Sequence, residues 1–181
     1  MKKSQIRKKF LKLRESKFQK GNIINFKNII KVLKKSGIKG KIIGGYYPYN
    51  NELDCIQILK KLEKKSYIIS LPKIKNNSQM DFVQWSFKEP LVVNKYGIPE
   101  PSIGKVKLPD ILLIPLLSFD TNLNRVGYGG GFYDRYIQKV KKRKKPLLVG
   151  LAFLFQKVKK IPINKYDMKL DFIVTEKNII E

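Results

Sequence analysis

The pattern of apolar and polar positions predicts four helices. At the start of the chain, apolar residues recur at intervals of three to five positions, which is the spacing of one helix face. These residues are Ile6, Phe10, Leu13 and Phe18. The predicted helices cover residues 4–19, 23–35, 54–62 and 132–142, of which the first two make up an N-terminal helical segment, residues 4–35. Gly37 is placed to end the second helix, and the Asp54 side chain can cap the third.

Apolar runs without a helical period predict the strands. They cover residues 41–47, 67–71, 80–87, 111–117, 147–153 and 171–175. Residues 80–87 alternate and predict a strand with one face toward solvent, whereas residues 111–117 are continuously apolar. Such buried strands, alternating with helices, predict an α/β fold with a largely parallel sheet that helices cover on both faces. Ligands in these sheets bind beyond the carboxyl ends of the strands, so the loop after residues 111–117 lies at the predicted active edge.

Length and composition indicate one globular domain, residues 1–181. A chain of 181 residues fits the usual range of about 100–200 residues per domain, and 43% of the residues are hydrophobic. The single cysteine, Cys55, cannot form an internal disulfide, which suits a cytoplasmic location, and we expect it to be an inert core residue. The longest apolar run, residues 146–155, is too short for a membrane span, and no apolar block follows the basic start as in a secretory signal.

The charge of the chain is strongly positive, with 39 basic and 14 acidic residues and a net charge of +25. Only five of the basic residues are arginines, the side chain on which nucleic-acid recognition usually relies. We therefore expect solvated lysines whose field attracts anionic ligands, and we disfavour nucleic-acid binding. Because the chain has lysine at most of its basic positions, the few arginines are informative: Arg7, Arg14, Arg125, Arg135 and Arg143.

The chain contains no histidine. This excludes histidine-dependent catalytic triads, histidine general bases and almost every zinc site. Acid–base chemistry must therefore use carboxylates, tyrosine, lysine or the substrate itself.

A glycine-rich stretch lies within residues 119–136, between a predicted strand and a predicted helix. Its glycines are Gly127, Gly129, Gly130 and Gly131. Such a cluster implies a left-handed backbone or close approach to another group, and its N–H groups can bind an anion together with the helix N-terminus. Arg125 can clamp a phosphate, and Asp134 is placed to hold Mg²⁺. The stretch matches neither the P-loop nor the dinucleotide consensus, so a structural turn with packing aromatic residues is the alternative.

These motifs, taken in order, resemble the 5-formyltetrahydrofolate cyclo-ligase (5,10-methenyltetrahydrofolate synthetase) family over essentially the full length. Residues 115–136 are similar to its P-x-x-x-F-D and R-x-G-Y-G-G-G-[YF]-Y-D-R signature, and Lys3 with Arg7 to its K-x-x-x-R opening. Residues 46–54 resemble its Y-x-P-x-x-x-E-[VIL]-D segment, and residues 96–101 resemble its G-[IL]-x-E-P segment. Residues 156–176 resemble its closing Q-x-V…T-E segment. One departure is Tyr166 before Asp167, where many members carry histidine.

The resemblance implies ATP- and Mg²⁺-dependent closure of 5-formyltetrahydrofolate to 5,10-methenyltetrahydrofolate, with release of ADP and phosphate. It also implies a single three-layer domain similar to sugar-phosphate isomerases and CoA transferases. In this chemistry the γ-phosphoryl group moves to the formyl oxygen, the second bridging nitrogen attacks, and phosphate departs. No strong base is required, which is consistent with a chain that lacks histidine.

The resemblance further implies roles for residues around the ATP. Lys3 and Arg7, four positions apart on one helix face, would reach its phosphates. The triphosphate cradle would consist of Arg125, Gly127, Tyr128, Gly129, Gly130, Gly131, Phe132 and Tyr133. Arg125, Tyr133 and Asp134 would be catalytic, and Asp134 with Asp167 would hold Mg²⁺.

The folate site would be formed by Glu52 and neighbouring aromatic residues. Glu52 would accept hydrogen bonds from the pterin, with Tyr47 stacking nearby and Tyr128 and Phe132 close to the folate. A surface charge at a helix start is the alternative for Glu52, and Trp85 either lines the pocket or packs. Two other functions stay open: a nucleotide- or folate-binding protein without turnover, and a basic RNA-binding module.

Overall fold

The computed structural model describes residues 1–18, 23–75 and 79–181. Its helices are α1 (Lys3–Lys17), α2 (Phe26–Lys35), α3 (Ile56–Glu63) and α4 (Phe132–Lys141), with a short 3₁₀ helix at Leu154–Gln156. Its strands are β1 (Ile42–Gly44), β2 (Ile68–Ile74), β3 (Met80–Gln84), β4 (Leu91–Val93), β5 (Pro99–Pro101), β6 (Val106–Lys107), β7 (Ile111–Pro115), β8 (Ser118–Phe119), β9 (Arg125–Val126), β10 (Leu147–Leu151), β11 (Phe172–Val174) and β12 (Ile179–Ile180). None of the helices in these ranges is both long and apolar enough to cross a membrane.

Eight strands form one sheet in the order β12-β11-β10-β7-β1-β2-β3-β6. The five strands from β11 to β2 are parallel to their neighbours, whereas β12, β3 and β6 pair antiparallel at the two sides. Two small hairpins, β4–β5 and β8–β9, lie outside this sheet. The predicted α/β fold with a largely parallel sheet is confirmed.

The core lies on both faces of the sheet. In β7, Ile111 and Leu113 pack in the cluster that includes α2 and α3, and Leu112 and Ile114 pack in the cluster that includes α4. Side chains alternate between faces along a strand, so this division shows helices on both sides. Each fully buried Ile or Leu contributes roughly 1.5–3 kcal/mol by leaving water. The predicted three-layer arrangement is thus present.

Several predicted boundaries differ from the observed ones. The predicted end of the first helix, Gln19, lies outside the described residues, and the second helix begins at Phe26 because Asn25 caps it. The N-cap residue of the third helix is Cys55 and not Asp54 as expected, although Oδ1 of Asp54 accepts the Ile56 N–H at 2.8 Å beside it. The predicted solvent-facing side of residues 80–87 is wrong. From Met80 to Val83 every residue of β3 is buried. The charged member of this run, Asp81, forms ion pairs with Lys75 and Lys139, which compensate its buried carboxylate.

Helix α1 brings basic side chains to the carboxyl edge of the parallel strands. Its Ile6 and Phe10 pack against Leu117, just beyond β7, and against Val126 of β9. The helix therefore lies over the β8–β9 hairpin, beside the loop that leads from β9 to α4.

Candidate active site

A cavity of about 820 Å³ lies where the loops after β1 and β9 meet the start of α1. All the residues that were predicted for the site from the sequence line this cavity: Lys3, Arg7, Tyr47, Glu52, Arg125, Gly127, Tyr128, Gly129, Gly130, Gly131, Phe132, Tyr133, Asp134 and Asp167. The structure thus brings together residues as far apart in the chain as Lys3 and Asp167. Their roles toward ligands stay predictions.

The glycine loop, residues 127–131, forms one wall of the cavity and leads directly into α4. Gly129 has φ 111° and Gly131 has φ 68°, backbone conformations that side chains with a Cβ rarely adopt. A Cβ on Gly129 would lie 3.2 Å from the Cζ atom of Arg7, whose Nε donates to the Gly127 carbonyl at 3.0 Å. The loop therefore holds an arginine of α1 directly against its backbone.

Arg125 and Asp134 form an ion pair across the end of this loop. Nη2 of Arg125 lies 2.8 Å from Oδ1 of Asp134, and its Nη1 donates to the Met168 carbonyl. The same Oδ1 accepts the Met168 N–H at 3.1 Å. In this structure the Arg125 guanidinium thus hydrogen-bonds both Asp134 and the Met168 carbonyl. To bind a phosphate through two nitrogens, as predicted, it would have to leave these partners.

Asp167 forms the second carboxylate of this end of the cavity. It pairs with the ammonium group of Lys3 and accepts the Asn164 N–H at 2.6 Å. Within the described residues, no group of three or more histidine, cysteine or acidic side chains could hold a metal ion. Mg²⁺, however, is usually held by one or two carboxylates together with substrate phosphates, and the oxygen donors of Asp134 and Asp167 fit that requirement.

Glu52 lines the cavity beside Tyr49 and Arg14 and is buried, with 8% of its surface exposed. This contradicts the alternative of a surface charge. Its Oε2 accepts the Tyr49 N–H at 3.0 Å, and its Oε1 lies 3.9 Å from Nη1 of Arg14. Burial raises the pKa of Glu52 to about 7, although Arg14 and the Tyr49 N–H act in the opposite direction. The carboxyl group therefore titrates close to neutral pH.

Tyrosines surround this carboxyl group. Burial raises the pKa of Tyr128 to about 12, and burial also raises the pKa of Tyr133, so both phenols keep their protons. The rings of Tyr128 and Tyr49 lie 6.1 Å apart, and those of Tyr96 and Phe132 lie 6.3 Å apart, edge to face. The tyrosines can donate hydrogen bonds and all four rings can stack, but the phenols are poor bases.

Three of these residues were not assigned to the site from the sequence: Arg14, Tyr49 and Tyr96. Arg14 carried a signal as one of five arginines in a lysine-rich chain, and Tyr96 stands in the segment that resembles G-[IL]-x-E-P. Neither signal specifies a position in space, which depends on tertiary packing.

Trp85 and Cys55 do not line the cavity. Trp85 packs against Phe87, with ring centroids 4.6 Å apart, and its Nε1 donates to the Glu89 carbonyl at 3.0 Å. Its packing role is therefore the one that the structure supports. Cys55 is fully buried in the core, where burial raises the pKa of its thiol, as expected for an inert residue.

Comparison with known proteins gives matches along nearly the whole chain. The family model described as the 5-formyltetrahydrofolate cyclo-ligase family matches residues 1–176. The 5-formyltetrahydrofolate cyclo-ligase of Haemophilus influenzae is 32% identical over 139 residues, which are 73% of this chain and 74% of that protein. The Escherichia coli K12 protein of the same name is 32% identical over 143 residues, 75% of this chain and 78% of its own. The NMR structure of Aquifex aeolicus 5,10-methenyltetrahydrofolate synthetase superposes with a TM-score of 0.77 at 31% identity, covering 99% of this chain and 92% of that one.

Proposed function

The chain belongs to the 5-formyltetrahydrofolate cyclo-ligase family, and from this premise we propose that it converts 5-formyltetrahydrofolate and ATP into 5,10-methenyltetrahydrofolate, ADP and phosphate. One observation carries the proposal. The glycine loop, the carboxylates Asp134 and Asp167, and the buried Glu52 line the same cavity. The proposed phosphate site and the proposed site for the donor-rich pterin therefore share one cavity, as the transfer of a phosphoryl group between two substrates requires.

We assign the pterin to the end of the cavity at Glu52. In its ionised form this side chain is purely an acceptor, which complements the amide and amino donors of a pterin edge. Tyr47, which is 36% exposed, is available to stack on the ring, and apolar side chains also line the cavity. They are Pro72, Ile74, Met80 and Ile98.

We assign the ATP phosphates to the glycine loop and the start of α4. Backbone N–H groups at a helix N-terminus favour anions, and the guanidinium of Arg7 and the ammonium of Lys3 add positive charge to the same wall. The hydrogen bond from Nε of Arg7 to the Gly127 carbonyl, 3.0 Å long, supports this assignment, because it places the charge at the loop backbone. We also assign Tyr128 and Phe132, which line the same cavity, to contacts with the folate.

Asp134 and Asp167 are the residues that would hold Mg²⁺. When bound, the metal ion would neutralise charge on the triphosphate and orient its terminal phosphoryl group. Both carboxylates already have cationic partners, Arg125 and Lys3, so these partners must share or release them when the metal and nucleotide bind.

The chemical steps require positioning more than acid–base catalysis. A formamide oxygen is a poor leaving group, and phosphorylation of that oxygen makes it a good one. The second bridging nitrogen then attacks the formyl carbon and loses its proton to water, the carbon–oxygen bond breaks, and phosphate leaves. The protonated phenols of Tyr128 and Tyr133 can donate to developing charge on oxygen, and we propose that Tyr133 and Arg125 support the transfer in this way.

The test is a phosphate-release assay with 5-formyltetrahydrofolate and ATP, read together with the absorbance of the methenyl product. We expect phosphate and the methenyl product in equal amounts. Neither product should form when 5-formyltetrahydrofolate, ATP or Mg²⁺ is omitted. Binding of both substrates without phosphate release would instead identify a binding protein of the same fold.

We further propose that residues 1–181 act as one domain in the cytoplasm. One sheet incorporates strands from residue 42 to residue 180, and the lone thiol suits a reducing compartment.

A further inference from the structure

Arg14 is a buried arginine beneath the cavity, and only 1% of its surface is exposed. A buried cation is costly unless oxygen atoms surround it. Nη2 of Arg14 donates to the Leu116 carbonyl at 2.9 Å, and its Nη1 donates to the Asn50 carbonyl at 3.2 Å and to the Tyr128 hydroxyl at 3.0 Å. Its charge is thus held in place by three neutral oxygens.

These partners come from three separate segments of the chain. Leu116 follows β7, Asn50 belongs to the loop after β1 that also carries Glu52, and Tyr128 belongs to the glycine loop. The guanidinium also lies over the Tyr128 ring, 5.6 Å from its centroid. One side chain of α1 therefore connects the proposed folate end of the cavity to the proposed phosphate end.

We propose that Arg14 is a positioning residue, which keeps the Glu52 carboxylate charged for the folate and fixes the Glu52 loop against the glycine loop. This inference rests on the proposed function. Arg14 approaches Glu52 to 3.9 Å from the side of α1. The titratable groups that face Glu52 from the other elements are neutral: Tyr46, Cys55, Tyr128 and Tyr133.

The electrostatic balance at Glu52 explains why this position matters. Burial favours the neutral acid, and Arg14 is the charged neighbour that favours the carboxylate. Loss of the Arg14 charge therefore shifts the titration of Glu52 to higher pH and reduces the fraction that is ionised at pH 7. A lysine cannot replace the arginine fully, because one ammonium group does not reproduce the planar fork that contacts several oxygens.

The experiment compares Arg14→Met with Lys12→Met, which removes an exposed charge from the same helix. Dissociation constants for 5-formyltetrahydrofolate and for ATP are measured from pH 6 to pH 9, with a thermal melt of each variant. For the wild type we expect folate affinity to increase with pH, with a midpoint near pH 7, and to level off above about pH 8. In Arg14→Met a shift of about one pKa unit should raise the folate dissociation constant about fivefold at pH 7 and about ninefold at pH 6, and the difference should nearly vanish at pH 9. ATP binding should change by less than about threefold, and Lys12→Met should behave as wild type.

A double-mutant cycle separates action through Glu52 from general support of the fold. In a Glu52→Gln background, Arg14→Met should have a smaller effect on the folate constant, and this effect should no longer change with pH. The carboxyl group on which the Arg14 charge acts is then gone, and only the contacts of Arg14 with the two loops remain. Additive effects, or a pH midpoint that does not move, would overturn the inference. If Arg14→Met does not fold, Arg14→Lys serves instead. For this variant we expect a KM for folate at least about threefold higher, with kcat nearly unchanged. Equal increases in KM for folate and for ATP would contradict the positioning role.

The wild type distinguishes this inference from the proposed function. A wild-type protein that neither binds nor converts 5-formyltetrahydrofolate contradicts the function itself. A wild type that does both, with Arg14→Met indistinguishable from Lys12→Met, contradicts only the role of Arg14.

Discussion

At the scale of single residues, the carboxylates of the cavity have different surroundings. Asp134 forms an ion pair with Arg125 at 2.8 Å, and its carboxylate is partly open to solvent. Glu52 is buried, and its cationic neighbour is 3.9 Å away. Charge is therefore well compensated at Asp134 and poorly compensated at Glu52. A metal ion at Asp134 would have to share this carboxylate with Arg125, whereas the charge of Glu52 depends on pH.

Replacement of Glu52 by glutamine should weaken folate binding selectively. The amide keeps the shape of the side chain but offers a donor where the pterin presents donors. At pH 8 we expect the dissociation constant for 5-formyltetrahydrofolate to rise roughly 10- to 100-fold, the value of a charge-assisted hydrogen bond, and that for ATP to stay within about threefold. Calorimetric titration measures both, with the exposed Glu15→Gln as control. A variant that loses ATP and keeps folate would contradict the assignment.

Glu52 should also make the stability of the ligand-free protein depend on pH. Its folded-state pKa of about 7 lies above the ordinary value of 4.5, so between these pH values the folded protein binds a proton that the unfolded chain has released. Stability from this group is therefore complete below about pH 4.5 and decreases as pH rises through 7, by a few kcal/mol at about 1.4 kcal/mol per pKa unit. Urea unfolding at pH 5.5 and pH 8 should show a larger loss in wild type than in Glu52→Gln. Equal losses would mean that Glu52 is not shifted.

Replacement of Asp134 by asparagine should abolish Mg²⁺-dependent turnover and leave the fold intact. Both hydrogen bonds of the carboxylate fall on Oδ1, and an amide oxygen can accept them, so we expect a stability loss of about 1 kcal/mol or less for this partly exposed pair. Single-turnover methenyl formation should fall at least about 100-fold, because the metal ion loses a ligand. Asp54→Asn is the matched control, since Asp54 also accepts a backbone N–H at a helix start but lies outside the cavity. Normal turnover in Asp134→Asn would mean that Asp134 is not a metal ligand and has only a structural role at the start of α4.

At the scale of elements, long apolar segments were predictable and short paired ones were not. The strand β7 and the helix α4 follow from their own residues, since burial on one or both faces leaves a pattern in the sequence. The strands β6, β8, β9 and β12 are two residues long, and their pairing depends on partners that the sequence does not identify. The same reason applies to the site: motifs identified the loop and Glu52, but the pairing of Lys3 with Asp167 and the contacts of Arg14 arise only when distant elements pack.

The glycine loop should be intolerant of a Cβ at Gly129. An alanine there must adopt φ near 111° and would also press on the Arg7 guanidinium. The backbone strain costs roughly 1–2 kcal/mol, and displacement of Arg7 should weaken ATP binding more than tenfold. Gly37→Ala provides the matched control, because Gly37 has φ 65° with no atom within 4 Å and lies outside the cavity. Similar melting temperatures but different ATP constants are expected. Equal ATP affinity in both variants would contradict a phosphate role for the loop.

At the scale of the whole molecule, the net charge of +25 affects stability before any ligand binds. With 39 basic and 14 acidic residues, most positive charges have no acidic partner available, and their mutual repulsion is stronger in the compact state. The anionic substrates relieve part of this repulsion at one place, whereas salt relieves it everywhere. These two effects can be separated experimentally.

Raising NaCl from about 20 mM to about 300 mM should raise the melting temperature of the ligand-free protein. The screening length falls from about 20 Å to below 8 Å over this range, so repulsion among exposed lysines weakens, and each kcal/mol recovered corresponds to about 2–4 °C. ATP with Mg²⁺ at constant ionic strength should add a further shift that follows its dissociation constant. Gly129→Ala should keep the response to NaCl and lose most of the response to ATP, because only the second depends on the glycine loop. A melting temperature that falls with NaCl would show that ion pairs such as Arg125–Asp134 and Lys3–Asp167 outweigh the general repulsion. The lysines would then have to be regarded as paired charges and not as the source of a diffuse positive field.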